Sequence, residues 1–394
     1  MKGNKGTKYA STKMFMTRVI YPVGLGAFCI ERFYREADNA VLFDMMYDCG
    51  SLSKMLNAID YETKSLYINT NKPLDLVFLS HFDEDHINGF RKMIGTQAIV
   101  PRVTTIMMPQ ISDEYYLLEL IGVEEYDNYN DLRNELVEAN FKVVEVLPWR
   151  ENDEYQEDRA LELEELGSPI PSGTKIAILD HLWEYIPFNN FDKQQNTDLL
   201  NDLMNRTGFN AQKINDIYHG NITTSELKSL KDAYRKLGKT KDGVTFINRN
   251  SLLVISRERI ACSAYLLYSK AWIPSYLWAT NNRTQWPFHD MSCALNASCL
   301  YTGDSIMEDK LVQMQNKYFG QTSIGLFQIP HHGSKHCYDQ KIINNLNFHA
   351  AFVNTSIYSK RVTIAPELIN WQNNNIPALL WVLKGEGGIY EYIY

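Results

Sequence analysis

The 394-residue chain contains no run of eighteen consecutive apolar residues, so no segment is expected to cross a membrane as a helix. Its opening, Met1-Lys2-Gly3-Asn4-Lys5-Gly6, leads into no apolar core with a cleavage site, and the chain reads as soluble and cytoplasmic. Cysteine is sparse: Cys29, Cys49, Cys262, Cys293, Cys299 and Cys337 form no Cys-x-x-Cys pair, which fits a reducing compartment and scattered core positions. Internal repeats and long low-complexity tracts are absent. Positive charge is not in excess either. The formal net charge of −8 argues against a protein that coats DNA or RNA nonspecifically, because phosphate binding is largely cationic and counterion-driven. Locally the balance changes: residues 226–250 carry seven cations against three acids, and residues 151–166 carry eight acids against Arg159. Each reads first as a solvated helix face or loop.

What is present is a dense group of metal-binding side chains. Residues 80–89 read Ser-His-Phe-Asp-Glu-Asp-His-Ile-Asn-Gly, which puts His81, Asp83, Asp85 and His86 within six positions. They follow Leu74-Asp75-Leu76-Val77-Phe78-Leu79, a short apolar run of the kind that forms a buried strand ending at a sheet rim. Two imidazoles and two carboxylates buried together repel one another in part unless a cation neutralises them. The alternative is a loop whose aspartates only cap a helix beginning near Ile87.

Elsewhere, Thr17–Tyr21 and Asn39–Asp44 read as strands, 51–68 as a helix, Phe90–Ile94 as a short helix and Ile99–Met108 as a strand. Helical spacing runs through 113–147, Lys175–Leu179 returns to strand, and the Asn- and Lys-rich sequence to about 243 reads as inserted helices. Strands alternating with helices indicate an α/β chain. The stretch from Tyr265 to Phe288 is rich in Tyr and Trp; it suits a core or partner surface, with base stacking as the alternative.

Several segments together carry a resemblance. His81-x-Asp83-x-Asp85-His86 resembles the first metal motif of the metallo-β-lactamase fold, with Asp83 where the second histidine usually stands. That variant is similar to the hydrolase domain of bacterial competence DNA-uptake channel proteins and their soluble relatives. Val23-Gly24-Leu25-Gly26, Asp48-Cys49-Gly50, Asn248 to Val254, Tyr301-Thr302-Gly303-Asp304 and Pro330-His331-His332-Gly333-Ser334 resemble further motifs of that group, in order. Ala27 replaces the group's aspartate after the second glycine. The likeness covers about residues 17–110 and 246–394.

The resemblance implies one domain over 1–394, a four-layer αβ/βα sandwich with a largely helical insertion, the inserted stretches lying at about 113–170 and 188–243. It implies two divalent metal ions, zinc or manganese, at a rim between two sheets. His81 and Asp83 would bind the first ion, Asp85 and His86 the second, and Asp304 would bridge them. One histidine of the pair His331 and His332 would be a ligand and the other would face substrate. With His331 as ligand, His332 joins Asp85 as a catalytic residue, and the reverse assignment stays open. His181 is the candidate third ligand of the first ion, with a surface histidine as the alternative. Ser334, Lys335 and the backbone around them would contact a phosphate oxygen. A carboxylate at Asp83 makes the first site harder and more negative, favouring manganese or magnesium without excluding zinc. Two cations lower the pKa of a shared water enough to give hydroxide near neutrality, which suits phosphodiester hydrolysis with nucleic acid as substrate. The competing readings are a small-molecule ester, lactone, thioester or lactam hydrolase, and a catalytically silent scaffold.

Overall fold

Along Met45-Met46-Tyr47, Leu76-Val77-Phe78 and Ile106-Met107-Met108 every residue is apolar and buried, and alternate side chains enter two different cores. A strand with period-two geometry that is apolar on both sides must be covered on both faces. This computed structural model describes residues 9, 12–52, 74–94, 104–111, 132–138, 140–149, 159–191, 193–218, 221–238, 251–259, 269–272, 297–355, 363–371, 378–383 and 389–393.

The strands are β1 (Met14–Ile20), β2 (Phe28–Arg35), β3 (Val41–Cys49), β4 (Leu76–Phe78), β5 (Thr105–Pro109), β6 (Lys142–Val146), β7 (Leu161–Glu162) and β8 (Ile176–Ile178). They continue as β9 (Trp183–Asn189), β10 (Leu252–Glu258), β11 (Ser269–Trp272), β12 (Cys299–Tyr301), β13 (Ile324–Gln328), β14 (Phe348–Thr355), β15 (Ala378–Leu383) and β16 (Ile389–Ile393). They form two eight-stranded mixed sheets, ordered β11-β16-β1-β2-β3-β4-β5-β6 and β15-β14-β13-β12-β10-β9-β8-β7. The sheets face each other: Phe33 meets Trp183 edge-on with ring centroids 5.4 Å apart, and Tyr47 stacks on Tyr301 at 4.8 Å.

Helices cover the outer faces. Helix α1 (Glu84–Ile94) buries Ile87, Phe90 and Met93 against Met46, Val77 and Ile106 of the first sheet. After α2 (Leu132–Glu138), the described residues between β9 and β10 include α3 (Lys193–Thr207), α4 (Ala211–Tyr218) and α5 (Thr224–Gly238). Leu199 and Leu203 of α3 and Leu230 of α5 join the same outer core as α1. On the second sheet, α6 (Asp309–Tyr318), α7 (Gln340–Asn345) and α8 (Pro366–Trp371) bring Leu311, Ile342 and Leu368 onto Leu253, Phe327 and Val353. Among the described residues no helix is long and apolar enough to cross a membrane.

Within 188–243 the described residues form three helices, and within 113–170 they include strands as well as a helix. Lys142–Val146 and Leu161–Glu162 are strands, the first completing the edge of one sheet and the second that of the other. The helical spacing read through to residue 147 breaks because Val143, Val144 and Val146 are β-branched and pack well on a pleated surface. Residues 112–131, most of the helix expected at 51–68 and the aromatic stretch apart from Trp272 lie outside the described residues.

The topology sets where polar side chains gather. Strands β3, β4, β5 and β6 are parallel, as are β12, β13, β14 and β15. Asp48 lies near the end of β3, His81 follows β4, Asp304 follows β12 and His331 follows β13. All leave the sheets at carboxyl ends of strands, where backbone turns away and opens a crevice.

Candidate metal centre

The loop after β4 brings its charged residues inward because the next element starts there. Helix α1 begins at Glu84, so Asp85 and His86 stand in its first turn, where unpaired backbone N–H groups favour carboxylates. Two turns from β1–β2 and β3 press on that helix start. A Cβ on Gly50 would lie 2.4 Å from the Asp85 carbonyl oxygen, and one on Gly26, at φ +135°, would lie 2.6 Å from it. Only glycine allows this approach, and the Ala27 N–H donates to the same carbonyl at 3.3 Å.

The two sheets contribute different candidate ligands. His81, Asp83, Asp85 and His86 belong to the first sheet and its helix, while Asp304, His331 and His332 follow strands of the second. His86 Nε2 lies 3.2 Å from Asp304 Oδ1, and His81 Nε2 lies 3.9 Å from Asp304 Oδ2 and 3.6 Å from Asp83 Oδ2. His332 Nε2 lies 3.2 Å from Asp85 Oδ2 and 3.6 Å from Asp304 Oδ1. His81, His86 and Asp304 form one buried group, and Asp85, His86 and His332 another, each with donor atoms within 4.8 Å of one another. Asp83 is partly exposed, at 28 % of its side chain.

The outer nitrogens of these histidines are fixed by the chain. Asp48 is buried; its Oδ1 accepts the Ser80 N–H at 2.7 Å, its Oδ2 accepts the Ser80 hydroxyl at 2.7 Å, and His86 Nδ1 lies 2.8 Å from Oδ2. A carboxylate only accepts, so His86 Nδ1 carries a proton. The Ser80 hydroxyl has one proton and gives it to Asp48, so toward His81 Nδ1, 2.8 Å away, its oxygen accepts. His332 Nδ1 donates to the Asn354 carbonyl at 2.9 Å. Each of the three thus has its proton on Nδ1 and turns Nε2 to the interior, as metal-ligating histidines do.

At His81 and His86 that inward nitrogen is buried and makes no hydrogen bond within the described residues. An orphaned buried nitrogen costs about 1–3 kcal/mol. Here it faces carboxylates at distances that suit a common centre, so the residues present fit a divalent cation. The charges agree. Burial disfavours the His86 imidazolium, yet Asp304 and Asp48 hold its pKa well above the ordinary histidine value. Burial likewise opposes charge on Asp304, but His332, His331 and His86 hold its carboxyl well below the usual range. Asp85 is held down against the same penalty by the His332 hydrogen bond and the His86 charge. In His332 the burial penalty is outweighed by Asp304 and Asp85, raising its pKa, whereas at His331 burial prevails and lowers it.

His331 stands apart from His332. Its Nε2 is 3.8 Å from Asp304 Oδ2, its side chain is 17 % exposed, and its Nδ1 lies 2.8 Å from Cys337 Sγ. The geometry therefore groups His332, not His331, with Asp85 and His86. His181 does not come to the cluster at all. It sits in the β8–β9 turn at φ +67°, with Nδ1 2.7 Å from Arg259 Nη1 and Nε2 3.7 Å from Glu162 Oε1. In β9, Asn189 pairs with Leu252 beside the site and Trp183 pairs with Glu258, so His181 lies at the opposite rim, about 20 Å away along the strand. Of the expected phosphate contacts, the backbone donors have partners within the chain. The N–H groups of Gly333, Ser334 and Lys335 already donate to Pro330, His331 and Thr363, and Ser334 Oγ accepts from the His336 N–H.

Sequence reading gives no role to the residues that orient the candidate ligands. Asp48 was legible only as a strand end before glycine; Ser80 simply precedes His81. Ser251 Oγ accepts the Asp304 N–H at 3.1 Å and lies 3.4 Å from His81 Nδ1. Gln328 accepts the N–H groups of Thr302 and Gly303. The available signal was a polar residue closing an apolar run, as Asn354 does at the end of β14. A comparison with family models finds no match to this chain, and a comparison with curated proteins finds none either.

Proposed function

We propose that this chain is a metal-dependent hydrolase of the metallo-β-lactamase type, acting on phosphodiesters, with nucleic acid as the substrate class. The observation that carries the reading is the convergence of His81, His86 and His332 Nε2 with Asp85 and Asp304 at a rim between two sheets, two of those nitrogens making no hydrogen bond among the described residues. Asp85, His86 and His332 would hold one ion, His81 and Asp83 a second, and Asp304 stands between the groups. A pair of divalent ions supplies Lewis acidity and a nucleophile at neutral pH.

The chain's own residues orient that chemistry. Asp48, Ser80 and the Asn354 carbonyl fix imidazole tautomers, and Ser251 steadies the Asp304 backbone. His331, partly exposed beside the cluster, would face a substrate. Three carboxylates at the centre make it hard and anionic, which matches ions that neutralise phosphate oxygens. Purified protein loaded with Mn²⁺ or Zn²⁺ should cleave bis(p-nitrophenyl) phosphate or one of a panel of single- and double-stranded nucleic acids, and Asp304→Ala should not. Turnover of p-nitrophenyl acetate or a lactam in place of every phosphodiester would overturn the substrate assignment. No turnover by metal-loaded protein on any substrate would favour the silent scaffold.

A further inference from the structure

The candidate centre is split between two sheets, so its geometry depends on how one sheet is registered on the other. In the apolar core between those sheets lies a charged pair. Arg18 and Glu31 are neighbours across β1 and β2, both fully buried, with Arg18 Nε 2.7 Å from Glu31 Oε1. Arg18 Nη2 also donates to the Ala297 carbonyl at 2.9 Å. A buried ion pair gives little net stability, and removing one member is costly. Its other bonds point to a use.

Among the described residues, the other side-chain hydrogen bonds of Glu31 cross to the second sheet. The Tyr301 hydroxyl donates to Oε1 at 2.8 Å, and the Tyr185 hydroxyl and Ser256 Oγ donate to Oε2 at 2.9 Å and 2.7 Å. Tyr301 ends β12, three residues before Asp304. It stacks on Tyr47, which precedes Asp48, and Tyr47 sends its own hydroxyl the other way, to the Leu252 carbonyl beside Ser251, at 2.8 Å. Two stacked tyrosines thus cross-link the sheets in opposite senses, each one to three residues from a group that ligates or orients the cluster.

We infer that Glu31 is a positioning residue for the metal centre: through Tyr301 it sets the height of Asp304 against the histidines of the first sheet. The inference rests on the proposed centre. Tyr185 provides the comparison, since it makes an equivalent bond to the same carboxylate from β9, a strand that carries no ligand.

The test is cobalt(II) titration of wild type, Tyr301→Phe and Tyr185→Phe, read by visible absorption and by affinity, with melting temperatures of the metal-free proteins alongside. Each variant loses one hydroxyl and keeps its ring, so both should fold. Tyr301→Phe should weaken cobalt binding about tenfold and shift the absorption bands, while Tyr185→Phe lowers the melting temperature and leaves both cobalt readouts unchanged. Glu31→Gln, where it folds, should move the cobalt readouts as Tyr301→Phe does. Unchanged cobalt binding in Tyr301→Phe, or equal changes in both tyrosine variants, overturns the inference and leaves the centre standing. A wild-type protein that takes up no cobalt overturns both.

Discussion

Asp48 Oδ2 lies 2.8 Å from His86 Nδ1, although the two are separated by 38 residues and belong to different elements. The carboxylate fixes the ring plane and the tautomer, so Nε2 faces Asp304 whether or not an ion is bound. Ser80 gives Asp48 two further bonds and passes the same constraint to His81. One buried carboxylate therefore orients two imidazoles.

Asp48→Asn should accordingly weaken metal binding by about 10–100-fold while leaving every ligand in place. Competition against a calibrated chelator measures it. An affinity equal to wild type would show that His86 is held by packing alone.

The two neighbouring histidines should behave differently. His332→Ala removes a group whose Nε2 lies 3.2 Å from Asp85, and it should abolish binding at that half of the cluster. His331→Ala should keep the metal content of wild type and lose turnover. Elemental analysis of both variants after metal loading decides between them, and the opposite pattern would reverse the assignment.

Asp83 is the point at which the motif departs from its usual form. If its carboxylate contacts the first ion, activity is higher with Mn²⁺ than with Zn²⁺, and Asp83→His inverts that order. Rate measured against metal concentration for both proteins separates affinity from turnover. An unaltered preference would place Asp83, whose side chain is partly exposed, outside the metal's contacts.

These assignments were unequally legible in the sequence. The six residues from His81 to His86 could be read as a site because strand, loop and helix start are consecutive, so chain spacing reports spatial spacing. The choice between His331 and His332 could not be read, since it depends on the direction in which a short left-handed turn sends each ring. The choice between ligand and surface histidine at His181 could not be read for a related reason: both ends of a strand look alike in sequence, and only the antiparallel pairing of β9 with β10 shows which rim its turn occupies. Arg18 and Glu31 fall at inward positions of alternating strands, where a sequence pattern predicts apolar side chains.

Away from the centre, Thr223 and Glu226 close the start of α5 reciprocally. The Thr223 N–H donates to Glu226 Oε2 at 2.9 Å, the Glu226 N–H donates to Thr223 Oγ1 at 3.3 Å, and Lys213 of α4 adds an ion pair at 2.8 Å. The Lys213 and Thr223 contacts lower the Glu226 pKa from 4.5 to about 2. The folded value lies below the unfolded one, so the stabilisation is present above pH 4.5 and is lost as pH falls toward 2. The stability gap between wild type and Glu226→Gln should therefore shrink across that window. A gap independent of pH would mean that the charge on Glu226 contributes nothing to the cap.

The turn that carries the histidine pair has one further implication. His331, His332 and Gly333 all have positive φ, at 47°, 55° and 75°. A side chain with a Cβ is disfavoured there by about 1–2 kcal/mol per residue, and glycine is not. By backbone energy alone, glycine would suit the two positions after Pro330 better than histidine. The turn thus holds two imidazoles in a conformation that costs backbone energy, and the bonds of His332 to the Asn354 carbonyl and Asp85 are what offset it, so the ring is anchored at both nitrogens.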